Sequence, residues 1–168
     1  MRDLSKQALD ALAEDVEHEL AQLRRLEGEI GYALAEMRND PKHAALYSES
    51  LALKLHNFYT GCERIFQAIA EEWNSGLPMG HDWHRRLLQR MGSAREGRPA
   101  VISSETERSL DEYLRFRHVI RNLYGFELDS ARLERLLAGY PTAWRMFESD
   151  VNRFVSWLRD LAARSEVE

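Results

Sequence analysis

The chain has 168 residues, 44% of them hydrophobic and 30% charged, with a formal net charge of −5. That length suits one domain, residues 1–168, which buries roughly 68–70% of its unfolded surface and needs no covalent staple. Cys62 is the lone cysteine, which excludes an intramolecular disulfide and a cysteine-rich zinc site, while the acidic balance argues against a general nucleic-acid coat protein.

The first predicted helix runs from about Leu4 to Arg38. Leu9, Leu12, Val16, Leu20, Leu23, Leu26, Ile30, Leu34 and Met37 recur at three- and four-residue steps and form one apolar stripe. Asn39-Asp40-Pro41 stops it, because proline disfavours helical backbone in the residue before it. A second long helix is expected from about His43 to Asn74, with the stripe Leu55, Phe58, Tyr59, Cys62, Ile65, Phe66, Ile69 and Trp73, and with Gly76 suited to a left-handed cap. Asp82 can cap a short helix from Trp83 to Met91, and a loop from Gly92 to Val101 follows. Ser104-Glu105-Thr106-Glu107 has the spacing of a capping box and opens a helix running to about Tyr124. Asp129 or Ser130 caps a short helix ending near Leu137, Gly139-Tyr140-Pro141 breaks the chain, and Thr142 starts the last helix, striped by Trp144, Phe147, Val151, Phe154, Leu158 and Leu161. No strand pattern competes, so the expectation is an all-α, single-domain bundle of four or five main helices.

Charge is unevenly spread. Twenty of the 23 basic residues are arginine, whose planar fork grips phosphate or carboxylate at two points. The first forty residues carry −5, whereas Arg85 to Arg98 carry +4, and Arg108, Arg115, Arg117 and Arg121 follow. Arg95, Arg98 and Arg121 are therefore candidates for contacts to phosphate, set against the simpler reading of solvated faces.

The helix through Leu110–Tyr124 is not plain scaffold. Phe116, Val119, Ile120 and Leu123 form one apolar patch, and Leu110, Tyr113 and Leu114 begin a second stripe. At its next positions stand Arg117, Arg121 and Tyr124, with His118 and Asn122 in the adjoining row. Arginines on a half-buried stripe need partners. They either pair with carboxylates of the first helix or line an anion cleft with His, Asn and Tyr.

The stretch LRFRHVIRNLYGFELD resembles the signature helix of the HEPN superfamily in its HepT-like ribonuclease branch, and LHNFYTGCERIFQAIAEEWNSGLPMGHDWHRRLLQRM is similar to the second-helix region of the same branch. The resemblance implies an all-α homodimer that acts as a toxin ribonuclease beside a small nucleotidyltransferase antitoxin of the MNT type. The family pattern is an arginine, a short spacer and a histidine, often followed two residues later by a tyrosine. Its arginine falls on Arg117, followed by polar His118, and its tyrosine on Tyr124, the residue the antitoxin would AMPylate. Its histidine position holds Asn122, which can hold a phosphate or base but cannot move protons. His118 is then the nearest substitute, and His81 and His84 are weaker ones. The alternative is a catalytically impaired HEPN module that binds nucleotide, RNA or the nucleotidyltransferase. Arg117, Asn122 and His118 are thus the catalytic candidates.

No cofactor is expected. His81 and His84 share a segment with Asp82, but a third metal ligand is not evident. Cys62, on an apolar stripe, reads as a buried inert thiol. No apolar run approaches the roughly 18 residues of a membrane span, and the acids among the leucines of the first segment are wrong for a signal peptide, so a cytoplasmic protein with no membrane segment is expected.

Overall fold

The computed structural model of the chain describes residues 4–73, 76–95, 97–122 and 127–165. Among them are five α-helices: α1 Lys6–Asn39, α2 Ala44–Glu72, α3 Trp83–Met91, α4 Ser104–Ile120 and α5 Ser130–Arg164, with a 3-10 turn, Pro41–His43, leading into α2. Ser5 caps α1 by accepting the Ala8 N–H, and Asp40-Pro41 ends it as expected. The α1 stripe is buried from Leu9 to Leu23 and again at Ile30, with Leu26, Leu34 and Met37 half-covered.

Helix α2 is the axis of the bundle and packs on α1, α3, α4 and α5. It approaches α1 closely at Gly61, where a Cβ would lie 2.5 Å from a Leu23 methyl. Its Phe58 ring sits edge-on to Tyr113 of α4 and to Tyr140, Trp144 and Phe147 of α5, with centroids 5.1 to 6.4 Å away. Edge-to-face aromatic pairs add to the burial that already holds these helices together. Gly76 takes the positive φ expected of it, +51°.

Two expectations need correction. Ser103, not Ser104, is the N-cap of α4, accepting the Thr106 N–H at 3.1 Å. The acid that completes a capping box normally lies three residues on; here Asp150 of α5 does that work. Its Oδ2 accepts the Ser103 N–H at 2.8 Å and the Thr106 hydroxyl at 2.6 Å. Burial pushes the Asp150 pKa up, but the Ser103 N–H, the Thr106 hydroxyl and Arg153 outweigh it and hold it below the usual aspartate value.

The second correction is at Gly139-Tyr140-Pro141, where no break occurs and α5 runs through as one helix with Pro141 inside. Proline removes the N–H that would bond to the Leu137 carbonyl and crowds that turn. The turn is held from outside: Tyr113 of α4 donates its hydroxyl to the Leu136 carbonyl at 2.7 Å, and Leu136, Leu137 and Tyr140 are buried. Tertiary packing thus overrides a local breaker. Asp129 caps this helix through the Arg132 N–H at 3.1 Å.

Candidate functional site

Short α3 packs on α2 and α4, and at that junction three helices bring charged and aromatic groups together. From α2 comes Glu63, buried to 4% exposure amid Tyr59, Cys62 and Phe66. From the first turn of α3 comes His84, and from the last turn of α4 come Arg117 and His118. Glu63 serves two partners, one on each oxygen. Oε1 accepts from Arg117 Nη1 at 2.7 Å and Oε2 from His84 Nδ1 at 2.6 Å. The 3.4 Å separation of Arg117 Nη1 and His84 Nδ1 follows from their sharing one carboxylate. Buried charge is tolerable only when paired and hydrogen-bonded, and this triad meets that condition with charge-assisted bonds.

Arg117 is itself buried, and its Nε has no hydrogen-bond partner. Trp83 stacks on the His84 ring at 3.7 Å between centroids, and His118 meets His84 edge-on at 5.5 Å. Burial lowers the His118 pKa, and His84, Arg117 and Arg121 lower it further against the opposing pull of Glu63. His118 is therefore neutral at pH 7, with a nitrogen lone pair to offer. His56 of α2 is lowered in the same way: burial outweighs its bond to Asn57, and the fields of Arg117 and Arg121 add to it. His56 and His118 thus both lie in the field of Arg117 and Arg121 from the C-terminal turn of α4.

The arginines expected to line a cleft separate. Arg117 lies inside, paired with α2 and not with the first helix. Arg121 is exposed at the C-cap of α4. Asn122 is exposed too, and its amide folds back to donate to the His118 carbonyl at 3.1 Å. Tyr124 and Leu123 lie outside the described residues, while Val119, expected in the apolar patch, is 36% exposed. Arg95 is exposed in the α3–α4 loop. Arg98, expected to face phosphate, is instead buried and turned into its own loop, donating to the carbonyls of Arg90, Ser93 and Pro99 at 2.9 to 3.3 Å. Burial first, then Arg95, pulls its pKa down to about 10. Arg98 is a loop staple. His81 is exposed, and Cys62 is fully buried with its thiol pKa pushed well up by burial.

Glu63 escaped the sequence reading. Its signal was an acid inside the apolar run Tyr59 to Ala70, at a position adjoining the buried stripe. Such a residue is buried only with a cation beside it.

Among the described residues no group of three or more His, Cys, Asp or Glu is arranged to hold a metal ion, and no helix is long and apolar enough to cross a membrane. Compared with known proteins, the chain matches no curated protein and no solved structure. A family model described as HepT-like protein matches residues 50–158, a span that holds α3, α4, most of α2 and every residue of the polar cluster. With that match over more than half its length, on an all-α bundle, the chain belongs to the HepT-like family of the HEPN superfamily.

Proposed function

We propose that this HepT-like protein is a metal-independent endoribonuclease of a toxin–antitoxin module, acting as a cytoplasmic homodimer and silenced when an MNT-type nucleotidyltransferase AMPylates Tyr124. The observation that carries the reading is that Arg117, paired with Glu63, and His118, edge-on to His84, come from the last turn of α4 to one junction. Cleavage of RNA without a metal needs a cation to offset charge growing on phosphate and groups that move protons; Arg117 is the first, and His118 is one of the second. Exposed Arg95 and Arg121 are the groups left to meet the RNA backbone.

The test pairs cleavage of RNA by the purified chain with growth on induction. Parent protein cleaves RNA and arrests growth, and Arg117→Ala does neither. With the cognate nucleotidyltransferase, ATP and Mg²⁺, intact mass rises by one adenylyl group, and Tyr124→Phe blocks the change. Sedimentation gives about 39 kDa, twice the 19.6 kDa chain. Absence of any cleavage overturns the ribonuclease reading.

A second reading, a binding module without catalysis, is favoured by Asn122, whose amide is engaged with its own helix. It expects no cleavage by the parent. If the missing histidine is what limits the chemistry, Asn122→His raises the rate by roughly 10²–10⁴.

A further inference from the structure

We infer that His84, oriented by Glu63, is the proton-transfer partner that position 122 does not supply, and that it works with His118, whose ring meets it edge-on. The inference rests on the ribonuclease reading and assigns it a residue outside the signature helix.

The geometry is that of a carboxylate-oriented imidazole. A carboxylate only accepts, so the 2.6 Å contact from Glu63 Oε2 places a hydrogen on His84 Nδ1. Nε2 is then the nitrogen left to exchange a proton. The other oxygen of Glu63 is tied to Arg117 Nη1, so one carboxylate fixes the cation and the imidazole relative to each other. Trp83 holds the ring plane from the α3 side. The His84 side chain retains 13% exposure against 5% for Glu63, so the ring is not sealed from the surface.

Cleavage requires two proton movements. The 2′-oxygen loses its proton as it bonds to phosphorus, and the 5′-oxygen gains one as its bond to phosphorus breaks. The products are a 2′,3′-cyclic phosphate and a 5′-hydroxyl, with no oxidant, reductant or metal consumed. His118, its pKa lowered by its surroundings, accepts the first proton, and His84, held by Glu63 through Nδ1, donates the second from Nε2. The charged groups facing this pair are Glu63 from α2 and Arg117 and Arg121 from α4. A lone histidine in the signature helix would have to do both jobs; here two rings 5.5 Å apart divide them.

The test is single-turnover cleavage of a defined RNA across pH, with melting curves for each variant. His84→Gln keeps a donor for Glu63 and so keeps the fold. It is expected to lose about 10²–10⁴ in rate and the alkaline limb of the pH profile. His84→Gly is expected to regain activity when free imidazole is added, which a packing role would not produce. Glu63→Gln, a positioning change, is expected to move the pH profile, and ¹⁵N shifts of His84 are expected to report loss of the fixed Nδ1–H tautomer. If the parent cleaves and His84→Gln matches it, or if the loss comes with an unchanged pH profile and no imidazole rescue, the inference is overturned while the ribonuclease reading stands. If the parent cleaves nothing, both fall.

Discussion

Deleting Glu63 tests the triad most directly. In Glu63→Ala, the guanidinium of Arg117 stays buried and loses the carboxylate it is paired with, and His84 loses its Nδ1 acceptor. Orphaning one member of a buried ion pair costs about 3–5 kcal/mol. Arg117→Ala is milder, because Glu63 keeps His84; loss of one charged hydrogen bond is worth about 1.5–3 kcal/mol. The double variant leaves neither charge stranded, so its cost falls short of the sum by about 1–3 kcal/mol. Against a total stability of about 5–15 kcal/mol, the glutamate variant alone is a large fraction. Urea unfolding followed by circular dichroism at pH 7 gives all three values. The coupling is expected to survive high salt, since a buried pair is little screened. A coupling under about 0.5 kcal/mol, or one that salt abolishes, would refute the reading of this cluster as an interdependent triad.

Three further outcomes follow from other parts of the fold. Pro141→Ala restores the missing helical N–H of α5 and is expected to raise stability by about 1–3 kcal/mol, offset by the roughly 0.4–1 kcal/mol that proline gains through the unfolded chain; a lower melting temperature would contradict the account of that turn. Asp150→Ala removes the acceptor for the Ser103 N–H and the Thr106 hydroxyl and is expected to cost about 1–3 kcal/mol. Because the folded carboxyl is held below its unfolded value, that contribution is complete above about pH 3.9 and is lost as pH falls through the folded value, so parent and variant curves should converge in acid. Cys62, buried with its thiol pKa pushed up, is expected to react with a disulfide reagent only as fast as the chain unfolds; rapid labelling of native protein would contradict its burial.

The helices were legible because each long one carries an unbroken apolar stripe, and stripes of that length are set by burial. The stripes through Leu9–Leu23, Leu55–Ile69 and Trp144–Leu158 are buried as the spacing predicts. Misjudgement came where a distant residue overrides a local rule. Pro141 reads as a break until Tyr113 is seen at the neighbouring carbonyl, and the capping box is misplaced by one residue because its acid arrives from α5. The candidate site follows the same division. Arg117 was marked by its place on a buried stripe, but its partners sit on α2 and α3, and neither pairing has a sequence spacing that announces it. Arg98 looked like its exposed neighbours because nothing local distinguishes an arginine that turns inward onto carbonyls from one that faces solvent.

The divided cap of α4 bears on when the polar cluster can be aligned during synthesis of the chain. A ribosome that has released the chain through Arg121 has already emitted every side chain of the triad. The helix carrying Arg117 and His118 still lacks the acceptor for the N–H of its N-cap Ser103, which lies 47 residues downstream in Asp150. The Trp144 and Phe147 rings that brace Phe58 are still missing as well. The cluster is therefore aligned only after the final helix has left the exit tunnel and docked. A chain that stops short of Asp150 holds all the parts of the cluster without the scaffold that sets their geometry, so their alignment is a late event in the folding of the nascent polypeptide.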